Sequence, residues 1–230
     1  GLEYELAKMF ADELDVELTL LVPDSFSDLL DSIAENTIHI AAAGLTVTKE
    51  REKTFRFGPS YQQITEQMVY NIANKRPKDL STLDGDLEVV ANSSHEESLN
   101  KLKKDFSELS WKSNHEHESE ELLGMVSDNI IDYTIADSNE LALNQRFLIN
   151  LRVAFDISEP QELAWAMPKT EDNSLFLAVQ KFFKKIKENG ELTRILERNY
   201  GHVESFDYVG TKIFMRHIET RLPEFQEFFE

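Results

Sequence analysis

Apolar residues along this chain switch repeatedly between two spacings. Leu2, Leu6, Met9, Phe10 and Leu14 recur at helical intervals, whereas Val16-Glu17-Leu18-Thr19-Leu20 alternates apolar and polar as a half-buried strand does. Pro23-Asp24-Ser25 then marks a turn, and Ser25 with Asp28 three residues later predicts a helix start. Phe26, Leu29, Leu30 and Ile33 form the buried face of that helix, and Asn36 is placed to end it in a left-handed conformation. Ile38 to Ala43 reads as the next strand. Helix, strand, helix and strand in succession predict a parallel sheet covered by helices.

Gln67 to Ile72 is a further strand, followed by the polar link Lys75-Arg76-Pro77-Lys78. The alternation then restarts with a short strand, Leu87 to Ala91, and a helix from about His95 to Lys104. Ser94 and Glu97 fit a capping box at its start, so its free backbone donors point outward. A helix from Glu118 to Ser127 leads to a strand, Ile130 to Asp137, that ends in an acid. Leu151 to Ile157 and Leu163 to Met167 read as strands. Two helices come next, Ser174 to Glu188, stopped at Asn189-Gly190, and Glu191 to Tyr200, stopped at Gly201. Thr211 to Glu230 is amphipathic at helical spacing, with a break at Pro223.

Composition narrows the function classes. A chain of 230 residues with 41% hydrophobic content carries enough apolar side chain for a sizeable core. Its formal charge of −19 and lack of any basic stripe argue against nucleic acid and against docking on an anionic membrane surface. With no cysteine, disulfides, thiolate metal sites and cysteine nucleophiles are excluded. No apolar run reaches the roughly 18 residues of a spanning helix, and no signal peptide is visible. The chain begins at glycine and reads as a mature fragment.

Candidate chemistry comes from three places. Gly44-Leu45-Thr46 follows a strand and delivers Thr46 and Arg51 to the position, outside a strand's carboxyl end, where ligands bind on open α/β sheets. Ser93 and Ser94 sit at a helix N-terminus, whose dipole and free N–H groups favour an anion. Asp137 ends a later strand. Taken singly, Arg51 suits a surface ion pair, Ser94 a plain helix cap, and Asp137 a cap on the next segment of chain. In this order they suit one ligand: a guanidinium and helix-end amides for a carboxylate, and a lone acid for an ammonium. That ligand is an α-amino acid or a peptide terminus. Asn114-His115-Glu116-His117-Glu118 reads as a solvated loop with nothing to fix four ligands, so neither a metal site nor a cofactor is expected.

The stretches "GLEYELA", "AAGLTVTKER", "FGPSY" and "DYTIAD" resemble the type II periplasmic solute-binding fold of polar amino acid receptors, over roughly Gly1 to Gly201. The resemblance implies a two-lobed α/β protein, each lobe a mostly parallel sheet flanked by helices. Residues 1–67 and 163–201 are expected in lobe one and 68–162 in lobe two, with the lobes closing about strands near Tyr70 and Trp165. It implies Arg51, with Thr46 and Ser93 or Ser94, for a ligand carboxylate, and Asp137 for its amine. Lobe one in that family normally opens with a strand and a loop that this chain lacks. Asp15 stands where a glycine is common, Lys49 where proline is favoured, and Ser93-Ser94 replaces a glycine-rich turn.

"ELSWK", "DYTIADS" and, above all, "FDYVGTKIF" with "LPEFQEFF" resemble the N-terminal domain of the membrane-bound lytic murein transglycosylase F family. This implies a sensor that binds an amino acid or a peptidoglycan stem peptide, with residues 202–230 as a helical linker toward a catalytic transglycosylase domain absent from this chain. The chain itself is then non-catalytic, monomeric and at the periplasmic face of the outer membrane. The alternative is a periplasmic receptor for an ABC-type polar amino acid importer. An enzyme on this fold, such as a dehydratase, needs an acid/base pair in the cleft that no spacing singles out.

Overall fold

The computed structural model describes residues 1–201. In chain order these form α1 (Leu2–Glu13), α2 (Phe26–Ala34), one-turn α3 (Arg51–Thr54), β1 (Phe55–Phe57), β2 (Gln62–Ile64) and β3 (Glu66–Asn71). Next are β4 (Glu88–Val90), α4 (Ser94–Leu102), β5 (Lys112–Asn114), α5 (Ser119–Ser127), β6 (Tyr133–Asp137) and α6 (Ser138–Asn144). The last are β7 (Leu151–Asp156), β8 (Gln161–Leu163), β9 (Ala166–Pro168), α7 (Ser174–Glu188) and α8 (Glu191–Tyr200).

The buried side chains fall into two lobes. In the first, α1, α7 and α8 turn Leu6, Phe10, Val179, Phe182, Phe183 and Ile195 toward the fully buried Trp165. Trp165 meets Phe183 at 4.9 Å and Phe10 at 5.7 Å edge-on, a geometry their quadrupoles favour, and stacks on Phe182 at 6.1 Å. The carboxylate of Glu3, on α1, accepts from the indole N–H of Trp165 at 2.9 Å and from the Tyr61 hydroxyl. A smaller cluster, Ile33, Ala41, Leu45, Phe55 and Ala166, fills the same lobe toward the second.

The second lobe is built on β3, which lies between β6 and β7 and pairs antiparallel with both. Both faces of β3 are covered, so Met68 joins Val89, Leu99 and Ile135 on one side while Val69 joins Leu122, Val126 and Leu151 on the other. Two adjacent chain passages link the lobes: β2 runs into β3, and β7 returns through β8, with β2 and β8 paired antiparallel.

The two-lobed α/β class is as expected, but strand pairing is less parallel than the expected pattern. Parallel contacts are β4 with β5 and a bridge from Leu87 to Tyr133; the linking strands are antiparallel because the chain goes out and returns side by side. Val16–Leu20 forms no strand, and Ile38–Ala43 contributes only a bridge from Ala41 to Ala166. Alternation supplies the right face for a strand, but a ladder also needs a neighbour at hydrogen-bonding distance. These two extended segments wall an apolar groove of about 600 Å³ floored by Phe10, Trp165 and Leu175, along which Val16, Leu20 and Val22 are exposed.

The strand expected over Leu163–Met167 is divided into β8 and β9 because its partner changes. β8 pairs with β2 and β9 with β1, while the Ala164 N–H between them donates to Leu45 O at 3.0 Å. The amphipathic stretch Thr211–Glu230, and the expected linker of residues 202–230, lie outside the described residues.

Candidate functional site

Gly44, at φ +62°, takes the left-handed turn that leads the chain from Ala43 into Leu45, Thr46 and α3. This brings Arg51 to the junction of the lobes, where it is only 5% exposed. Its Nη1 donates to Thr46 O at 3.2 Å, and its Nη2 crosses to the second lobe to donate to Asn92 O at 3.3 Å. Its Nε lies 3.2 Å from Oε1 of Glu97 on α4, and its guanidinium carbon lies 5.3 Å from the centre of the Phe26 ring. Burial pulls the guanidinium pKa down, and the carboxylates of Glu97, Asp137 and Glu66 resist that pull.

Across the junction, Asn92 at φ +60° turns the chain from β4 into α4. Ser93 is the cap of α4, its hydroxyl accepting from Glu96 N at 3.3 Å, while the Glu96 carboxylate accepts from Asn92 N at 2.8 Å. The capping pair expected at Ser94 and Glu97 is therefore shifted one residue toward the N-terminus, because the helix begins at Ser94. Ser94, freed from capping, donates to the Thr46 hydroxyl oxygen at 3.3 Å and joins the lobes. The Asn92 amide reaches Ser27 at 2.9 Å, and the Phe26 N–H donates to Glu118 at 3.0 Å, so further contacts hold the lobes together.

Asp137 closes β6 and directly precedes α6, but its side chain does not cap that helix. Its Oδ1 instead lies 2.9 Å from Nε2 of His95, in the first turn of α4. Directly opposite Asp137 in the β3–β6 register stands Glu66, wholly buried, with no hydrogen-bond partner for either carboxylate oxygen. Burial raises the Glu66 pKa; His95 and the Ser94 and Ser98 hydroxyls offset part of this without reaching hydrogen-bonding geometry. Burial also works against a charged His95, but Asp137, Glu66 and Glu140 overcome it and lift the imidazole pKa. Burial raises Glu140 as well, eased by a 2.8 Å bond from Ser119.

The structure thus brings Thr46, Arg51, Ser93, Ser94 and Asp137 to one place, with Thr46 and Arg51 on one side of the junction and the other three across it. Glu66, His95 and Glu97 join them, although the sequence marks none of the three as a site residue: it places His95 at a helix start and Glu97 in a capping pair. The surroundings hold the carboxylates of Glu66, Glu97, Asp137 and Glu140 against the Arg51 guanidinium and the His95 imidazole, so the site can accept cationic as well as anionic groups. His117 is half-buried ahead of α5, 3.7 Å from Glu121 in the first turn of that helix, and His115 is exposed.

The profile of the bacterial extracellular solute-binding proteins, family 3, matches residues 1–202. Membrane-bound lytic murein transglycosylase F of Aliivibrio fischeri is 42% identical over 233 residues, which take in 100% of this chain and 47% of that protein. The chain therefore spans about half the length of the curated relatives it matches, corresponding to their N-terminal half. Among solved structures, a mutant of ArgBP from T. maritima superposes with a TM-score of 0.78 at 20% identity, covering 87% of this chain and 85% of that one. The amino acid ABC transporter substrate-binding protein AbpA from Streptococcus pneumoniae, bound to L-arginine, superposes at 0.73 with 26% identity, covering 88% and 84%.

Proposed function

The chain belongs to the bacterial extracellular solute-binding proteins, family 3, and from that membership we propose that it is the ligand-sensing domain of a peptidoglycan lytic transglycosylase. In this reading residues 1–67 and 163–201 form one lobe, 68–162 the other, and an amino acid or peptidoglycan stem peptide binds between them. Arg51, supported by Thr46, Ser93 and Ser94, takes the ligand carboxylate, and Asp137 takes its amine. The observation that carries the reading is the buried Arg51 guanidinium, held at the lobe junction between Thr46 and Asn92. A guanidinium there offers a planar fork to a carboxylate in a dry site, where charge-assisted hydrogen bonds are strong.

Ligand binding shifts the balance between open and closed lobes only by its differential affinity for the two states. Closure then changes the orientation of the chain that leaves lobe one after α8, and so the activity of a transglycosylase domain beyond it in the whole protein. The chain's own role is binding rather than catalysis. It works at the periplasmic face of the outer membrane as a monomer; no helix among the described residues is long and apolar enough to cross a membrane.

A second reading, a receptor for an ABC-type polar amino acid importer, draws on the likeness to AbpA, which was solved with L-arginine. Thermal unfolding of the chain with a panel of free amino acids and stem peptides separates the two. Ligand at 100 times its dissociation constant adds about 2.7 kcal/mol. For a chain of this size that is about 5–10 °C. Stabilisation by stem peptides supports the cell-wall sensor; stabilisation by one free amino acid alone supports the importer receptor; none with either overturns both.

A further inference from the structure

Glu66 opens β3, Asp137 closes β6 directly opposite it, and His95 stands in the first turn of α4. These three side chains place one ligand atom each within 4.8 Å of one another. We propose that they form a binding site for a single divalent cation of the zinc class.

Glu66 is wholly buried and both its oxygens lack a hydrogen-bond partner, beside a His95 that is 6% exposed. A buried carboxylate left without a proton, a partner or a cation is costly, so this arrangement calls for an occupant. One imidazole nitrogen with two carboxylates is a mixed nitrogen and oxygen set, which suits zinc, iron(II) or manganese better than the all-oxygen sites of calcium. Two carboxylates and a neutral imidazole balance a dication. Ligand atoms on a tetrahedral zinc stand about 3.4 Å apart for bonds of about 2.0–2.1 Å. The His95 and Asp137 atoms are already at 2.9 Å, so the cation replaces their hydrogen bond and draws Glu66 inward. The lobes touch directly beside this cluster through Ser94 and Thr46, and an ion fits such a junction with less opening than a whole amino acid.

This site does not rest on the amino acid reading. Asp137 is common to both, so a bound cation and a ligand amine exclude each other there. The test is isothermal titration of the chelator-treated chain with zinc chloride, with cobalt(II) absorption as a second readout on the wild type. One zinc per chain is expected, with Glu66→Gln and His95→Gln each weakening it at least about tenfold and His117→Ala leaving it unchanged. Thermal melts without metal confirm that each variant is folded, and the wild-type cobalt spectrum needs no variant to report ligation by nitrogen and oxygen. Zinc binding untouched by Glu66→Gln and His95→Gln, or lost with His117→Ala, overturns the site. So does stabilisation by L-arginine or L-lysine with none by zinc, which assigns the cluster to a ligand ammonium.

Discussion

Glu97 occupies the guanidinium that the proposed ligand needs. Its Oε1 lies 3.2 Å from Arg51 Nε, joining α4 of one lobe to α3 of the other, and the two side chains are 22% and 4% exposed. A ligand carboxylate has to displace it, so the affinity measured is the ligand's gain minus the loss of this pair. Glu97→Gln removes the competing charge and keeps the shape. Arg51 Nε and Glu97 meet as an ion pair without hydrogen-bonding geometry, and the coupling of close charge pairs begins at about 1.5 kcal/mol. The distance is longer than the ~2.8 Å of a strong ion pair, and Glu97 is partly solvated, which sets the effect near the lower end. At about 1.4 kcal/mol per tenfold, ligand affinity should rise about tenfold. The variant without ligand should melt a few degrees lower, because a tie between the lobes is lost. Calorimetric titration of wild type and variant with the strongest ligand of the panel decides it. Unchanged or weaker binding in Glu97→Gln refutes the competition and makes Glu97 part of the ligand's own surroundings.

Four further outcomes come from the packing and the titrating groups. Phe183→Ala, beneath Trp165 and stacked on Tyr61, should lose about 3–5 kcal/mol in denaturant unfolding. Gly85→Ala should lose about 1–3 kcal/mol, because Gly85 sits at φ +149° and a Cβ there would stand 2.3 Å from the Asp132 carboxylate that receives the Asp86 N–H. Ser93→Ala, which removes the cap of α4, should cost about 1 kcal/mol by the same assay. The melting temperature should be higher at pH 5.5 than at pH 8. Glu3, Glu66, Glu140 and His95 all have folded values raised above ordinary ones of 4.5 for the carboxyls and 6.5 for the imidazole, so the native state keeps protons that the unfolded chain releases as pH rises. The opposing carboxylates, Glu88, Glu96, Asp79 and Asp172, have values lowered from ordinary ones of 4.5 and 3.8 and lose their contribution only below about pH 4.5. A flat or rising profile from pH 5.5 to 8 contradicts this.

Helices were legible because their signal is local. Leu175, Val179, Phe182, Phe183 and Ile186 state the buried stripe of α7 within its own residues, and Asn189-Gly190 states its end. Strands were legible in pattern but not in partner: nothing within Val16–Leu20 reveals whether a neighbour is present, and nothing within Leu163–Met167 reveals that its partner changes at Ala164. The same division applies to the site. Arg51 and Ser94 open helices, Ser93 caps one, Asp137 ends a strand and Thr46 follows the Gly44 turn, places that a sequence marks. Glu66 is marked by nothing local; only the β3–β6 register sets it against Asp137. His95, next to Ser93-Ser94, could have been suspected from its place in the first helical turn, but its partner is 42 residues away. Glu97 was assigned to capping, and the one-residue shift of the helix start frees it to cross the junction.

The most direct test of a carboxylate grip at Arg51 is calorimetric titration of wild type and Arg51→Ala with one ligand, the stem peptide or amino acid that most stabilises the wild type. Loss of one partner of a buried charge pair should weaken binding by about 2–4 kcal/mol, roughly thirtyfold to a thousandfold. Equal affinity in a folded Arg51→Ala protein contradicts the account, because the guanidinium at the lobe junction would then hold the lobes and not the ligand.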